Sequence, residues 1–172
     1  MPDLERRFGS MVFPTRRSPA EMQLRPLSME VLGQGPLTGL LASLTRMPID
    51  DCRAARMIAF EIRVLWLVCA DGTVRMALEE VVRSDAAQGL RHPKAANGVL
   101  APGYEKLGHP ALVGDAGGRI GGELYRDERP LGWIITNGSG RYSRGLPRRR
   151  EHLVNVAAEF GTFGIEVTPV FL

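Results

Sequence analysis

The sequence predicts an α+β fold: a mainly antiparallel twisted sheet with one or two packed helices, preceded by a proline- and arginine-rich N-terminal arm. Three observations carry this. Two apolar runs between Ile58 and Val82 flank Asp71-Gly72, and Asp-Gly in that setting is a strong short-range hairpin signal. Shorter apolar segments follow at 109–113, 119–125 and 132–136, separated by glycine-containing turns. Helical spacing of Leu153, Val156, Ala157 and Phe160 then predicts an amphipathic helix over Arg148 to Phe160.

In chain order, Pro2, Pro14, Pro19, Pro26 and Pro36 interrupt residues 1–36, which read as an extended or loosely packed arm. Residues 37–172 read as a single α+β domain. Leu37 to Met47 is a short amphipathic helix stopped by Pro48, and Ile49 to Arg56 adds a helical turn or two behind Asp50 or Asp51. Ile58 to Val68 is a strand with Phe60, Ile62, Val64 and Trp66 inward, returning as Val74 to Val82. Gln88-Gly89, His92-Pro93, Asn97-Gly98 and Pro102-Gly103 mark 83–108 as one long loop. Gly161 and Gly164 end the last helix, and Ile165 to Phe171 closes the fold as a strand.

Composition narrows the function classes. With 172 residues, 44% hydrophobic and 24% charged, the chain suits one globular domain and not wholesale disorder. No run approaches the roughly 18 apolar residues of a membrane span. Charged Met1 to Arg7 lacks a following apolar stretch, so the expectation is a cytoplasmic protein, or one exported by a dedicated secretion system without a cleavable signal. Cys52 and Cys69 make neither a disulfide framework nor a metal site, and Cys69 reads as a buried small hydrophobe. The net charge of +3 rests on arginine, clustered at Arg6, Arg7, Arg16 and Arg17 and again at Arg141, Arg144, Arg148, Arg149 and Arg150. Such clusters form either a solvated basic face or an anion-binding surface.

The residues that could carry chemistry fall between Leu107 and Tyr142. His109, on a Gly-His-Pro turn, has the side chain suited to acid, base or orienting-donor work near neutral pH. Glu123 follows Gly121-Gly122, and glycine in a strand marks a close approach of ligand or backbone; its alternative is a surface pair with Arg119 or Arg126. Asn137-Gly138-Ser139-Gly140 is a turn by composition that can also offer successive N–H groups and a hydroxyl to an anion, with Arg141 adding a fixed cation and Tyr142 a phenol. His109, Glu123 and Tyr142 are the catalytic candidates; Asn137, Ser139, Gly140 and Arg141 are the substrate-binding candidates.

His109-Pro110-Ala111-Leu112, Gly122-Glu123 and Asn137-Gly138-Ser139-Gly140-Arg141-Tyr142 together resemble a motif set written H-S-x-L, G-E and N-x-S-G-H-Y. That set belongs to modules of bacterial polymorphic toxins and secreted effectors, and to plant IQ-motif calmodulin-binding proteins. The similarity spans roughly 58–171, and departs from the pattern at Pro110, in place of serine, and at Arg141, in place of histidine. It implies a toxin or effector context, with a cognate immunity or carrier protein as partner.

Three functions follow as expectations. The first is an enzyme on a nucleotide-like substrate, in its most concrete form ADP-ribosyl transfer from NAD as substrate, with His109, Tyr142 and Glu123 supplying the residue types. The second is a metal-independent ribonuclease, with Glu123 as base, Arg141 on the phosphate and His109 or His152 as acid. The third is a non-catalytic module for a partner protein or anionic ligand, using the basic arm.

Overall fold

The computed structural model describes residues 2–46, 59–84, 90–96, 98–128 and 131–172. The strands are β1 (Glu30–Val31), β2 (Arg63–Cys69), β3 (Val74–Leu78), β4 (Glu80–Arg83), β5 (Arg91–Pro93), β6 (Tyr104–Leu107), β7 (Gly118–Glu128), β8 (Leu131–Thr136) and β9 (Val167–Val170). The main sheet has the order β1-β3-β2-β7-β8-β9, antiparallel throughout except for the β8–β9 pair. A small second sheet has the order β5-β4-β6. With the packed helices, this is the expected α+β fold.

The hairpin forms where Asp-Gly predicts it. Gly72 adopts φ +91°, and the Asp71 carboxylate accepts from the Thr73 N–H and hydroxyl at 2.9 and 2.7 Å. Alternation along β2 fills two layers. Val64, Trp66 and Val68 join Ile120, Leu124, Trp133 and Ile135 against the helices; Leu65, Leu67 and Cys69 join Leu112, Val113 and Tyr142 on the other face. Phe60 and Ile62 also pack against the first layer, but not as strand residues: 59–61 is helical and the expected strand begins only at Arg63.

Helix α3 (Pro36–Arg46) matches the expected helix and buries Leu37, Leu41 and Leu44. Its first turn is held by a carboxylate from β1: Glu30 accepts from Leu37 N at 2.9 Å and from Thr38 N at 2.8 Å. The final helix, α4 (Arg150–Thr162), buries Leu153, Val156 and Phe160, one side of a 3.6-residue period. The helical turns expected over Ile49 to Arg56, together with Cys52, lie outside the described residues.

Three expectations are corrected. Residues 2–36 are not a loose arm: α1 (Pro2–Phe8), α2 (Pro19–Gln23) and β1 are built into the fold, with Phe8 and Leu32 in the core and β1 paired to β3. The proline-rich segments are short because each helix starts at a proline, not because the chain fails to pack. The segment 83–108 is not one loop, since β5 and β6 flank β4. Likewise the run from Val74 to Val82 is cut in two at Glu79. Buried Glu79 takes Lys106 at 2.9 Å and Lys94 at 3.5 Å, while Glu80 accepts from Leu27 N, Ser28 N and the Ser28 hydroxyl. Those donors satisfy two consecutive carboxylates that a continuous strand would leave stranded.

Strand β7 crosses the centre of the sheet through Gly121-Gly122. A Cβ on Gly122 would lie 1.7 Å from the Thr136 carbonyl oxygen and 2.8 Å from the Trp66 ring. Gly122→Ala should therefore lower stability by about 3 kcal/mol or prevent folding. Gly140→Ala, where a Cβ meets nothing within 4 Å, should stay within about 0.5 kcal/mol in the same urea titration.

Candidate functional site

The expected strand at His109 is instead a 3-10 helix, His109–Leu112, entered from Gly108 with Pro110 in its first turn. Proline's fixed φ and missing N–H suit that turn and would remove a ladder bond from a strand. The ring of His109 lies over β7: Nε2 meets the Gly122 carbonyl oxygen at 2.9 Å, and a Cβ on Gly121 would come within 3.3 Å of its Cδ2. The carbonyl requires Nε2 to donate, so the neutral ring keeps Nδ1 as its acceptor nitrogen. Burial holds the His109 pKa below its usual 6.5, against the raising effects of the Gly122 carbonyl and of Glu123.

Glu123 neighbours Leu65 and Thr136 across β7 and is half-buried. It pairs with neither Arg119 nor Arg126 but with Arg63 of β2, at 2.6 Å, whose guanidinium lies 4.8 Å from the Tyr125 ring centre. Arg119 turns inward to the Gly9 and Ala70 carbonyls, and Arg126 to that of Leu44.

Arg141 meets Glu21 of α2 at 2.5 Å. Glu21 is buried and accepts from Ser18 N at 2.9 Å, closing a capping box, and from Gly108 N at 3.1 Å. This one carboxylate thus ties the N-terminal segment, the residue before His109 and the Arg141 turn together. Beside it opens a groove of about 530 Å³ lined by Thr15, Arg16, Arg17, Ser18, Glu21 and Arg141. Arg17 is anchored by the Pro14 and Gly114 carbonyls and by Asp115 at 3.6 Å, whereas exposed Arg16 has no partner among the described residues.

The remaining candidates hold structure. Tyr142 is fully buried against Leu65, Leu67 and Leu112, and burial pushes its hydroxyl up to about 12, so it is not placed to touch a ligand. The Asn137 amide accepts from Leu172 N at 2.7 Å and donates to its carbonyl at 3.3 Å, clamping the end of the chain. The Ser139 hydroxyl caps the turn by accepting from Tyr142 N at 3.3 Å. Gly140 is exposed but presents no side chain. His152 lies at the start of α4, away from the groove, with Nδ1 accepting from Arg149 N at 3.1 Å.

His109, Glu123 and Arg141 therefore come together: both charged groups act on the His109 ring, and Gly108 links it to the Glu21–Arg141 pair. Sequence reasoning missed Arg63 and Glu21. The capping spacing of Ser18 and Glu21 was a readable signal for the helix, but nothing local marks a carboxylate that reaches residues about ninety and one hundred and twenty positions away. Compared with known proteins, the chain matches no family model, no curated protein and no solved structure. Among the described residues, no helix is long and apolar enough to cross a membrane.

The depressed His109 value has a testable sign. Between it and 6.5 the unfolded chain binds more protons, so the stability contributed by the neutral ring is complete above about pH 6.5 and lost as the pH falls toward the folded value. Urea midpoints should drop between about pH 7 and about pH 5, and His109→Gln should remove part of that slope. An unchanged slope in the variant would mean that the ring is not held neutral by burial.

Proposed function

We propose that this chain is an effector-like domain that binds a nucleotide-like anion, with the phosphates in the Arg16–Arg17–Arg141 groove and His109 and Glu123 acting beyond them. The observation that carries this reading is the arginine groove. Its single carboxylate, Glu21, is already spent on Arg141 and two backbone N–H groups, and Arg17 is held by two carbonyls and Asp115, which leaves Arg16 as the unpartnered positive charge of the groove among the described residues. The resemblance to toxin and effector motifs supports the context.

In the NAD form of this reading, Glu123 stabilises positive charge on the ribose and His109 orients it, but buried Tyr142 supplies no stacking ring. Neutral His109, with an acceptor nitrogen, favours proton abstraction, so cleavage of an RNA phosphodiester with His109 as base and Arg141 on the phosphate is the second reading. A non-catalytic ligand-binding role is the third; it is favoured by the Arg63–Glu123 and Glu21–Arg141 pairs, which already occupy the charges a catalyst would use.

Calorimetry with NAD and ADP-ribose should give salt-sensitive binding, weakened about tenfold by Arg16→Glu, a change that disturbs no structural bond. Turnover of NAD, or of total RNA in EDTA, lost in Glu123→Gln or His109→Gln respectively, assigns the reaction; binding without either turnover selects the non-catalytic role. Failure of NAD, ADP-ribose and RNA alike to bind removes the reading.

A further inference from the structure

A second cavity, of about 440 Å³, opens between the end of α1 and the start of α4. Glu5, Arg6, Ser10, Arg149 and His152 contribute to its lining. It shares no residue with the arginine groove.

Its chemistry is unusual for the N-terminus of a helix. The first N–H groups of a helix form a positive end that prefers acidic side chains, yet Arg148, Arg149 and Arg150 stand there in succession. Glu151 is the one acid in that first turn. Arg148 is turned inward, donating to the Tyr142, Ser10 and Arg119 carbonyls. Arg149 is exposed and has no side-chain partner among the described residues.

His152 points to a ligand independently. It is only 6% exposed, and its Nδ1 is spent as the acceptor for Arg149 N. Its Nε2 must then carry the ring proton, and it has no partner among the described residues while the ring lines the cavity. That nitrogen is not among the buried unpartnered atoms, so its N–H is open on the cavity side and free to meet an acceptor there. The carbonyls at the end of α1, which would repel an anion, are already covered: Gly9 O accepts from Arg119 and Ser10 O from Arg148. Two carboxylates oppose binding, that of exposed Glu5 on the cavity wall and that of Glu151, which acts on the His152 ring from the first turn of α4, while Arg6 is shared with Asp3 at 2.9 Å.

We infer that this cavity is a phosphate site, in which Nε2–H of His152 donates from the inner wall, Arg149 closes the mouth and the first turn of α4 supplies the field. The ligand class is a phosphate or phosphomonoester, whose three or four acceptor oxygens match several converging donors. Burial, with Arg148 and Arg149 close by, keeps His152 uncharged at neutral pH, so it acts as a neutral donor and not as a counter-ion.

The test is a titration of the full chain with inorganic phosphate near neutral pH, following the ring carbon–proton signals of the three histidines, with sodium chloride at matched ionic strength as reference. The His152 signal should shift saturably in phosphate and not in chloride. Arg149→Ala should raise the midpoint about tenfold and Glu5→Gln should lower it, both being exposed positions where folding is undisturbed. Arg16→Glu, which tests the other groove, should leave this midpoint unchanged. A His152 shift that is linear and equal in both salts, or a midpoint unmoved by Arg149→Ala, overturns the site.

Discussion

The close approach of β7 to its neighbours at Gly121-Gly122 is the constraint on which the rest of the structure depends. Without a Cβ at Gly122, the strand can lie against the Thr136 carbonyl and the Trp66 ring, bringing β2, β7 and β8 into one tightly packed sheet centre. The same two residues hold the other layer. Gly122 O receives the His109 ring, and the Ser143 hydroxyl donates to Gly121 O at 2.6 Å. The glycines that looked like room for a ligand are room for the protein's own histidine and backbone. They are nonetheless why His109 and Glu123 are neighbours, since the ring reaches the strand only where side chains are missing.

Arginine has two roles here, and separating them changes how the basic balance is read. Arg119, Arg126 and Arg148 are buried and donate chiefly to backbone carbonyls, a use that suits a planar, weakly hydrated fork. Arg148 alone joins the end of α1, strand β7 and the Tyr142 turn. Burial, followed by the nearby charge of Arg119, pulls its pKa down to about 10, so it stays protonated at neutral pH. Only the outward set, Arg16, Arg141 and Arg149 among them, can address an anion; Arg17 is held by the Pro14 and Gly114 carbonyls. A net charge of +3 thus understates the local positive fields and overstates the number of arginines free to bind.

What was legible in the sequence was local. The Asp71-Gly72 hairpin, α3, α4 and the strands at 119–125 and 132–136 are written in turn chemistry and period, signals that need only a few neighbouring residues. What was not legible depends on distant partners. β5 and β6 exist because β4 pairs with both, and β1 because β3 offers an edge; neither Arg91–Pro93 nor Glu30–Val31 has strand periodicity of its own. The site divides in the same way. His109, Glu123 and Arg141 were chosen by residue type beside glycine, and the structure places them near one another. Tyr142, Asn137 and Ser139 were chosen by the same rule, yet they serve the core, the chain end and a turn, because local sequence cannot distinguish a polar group facing a cleft from one satisfying buried backbone.

That satisfaction bears on how the candidate site can work. Glu123 is bonded to Arg63, Arg141 to Glu21, and His109 to a carbonyl, so each functional group is held before any ligand arrives. Pre-pairing fixes geometry at the expense of affinity, because a ligand must replace an interaction and not simply fill a vacancy. Glu21 is the least replaceable: buried, it would be left uncompensated if a phosphate drew Arg141 away. Arg141 is therefore better suited to bridge, keeping one nitrogen on Glu21 while its other, which faces the Gly108 side, turns toward the groove.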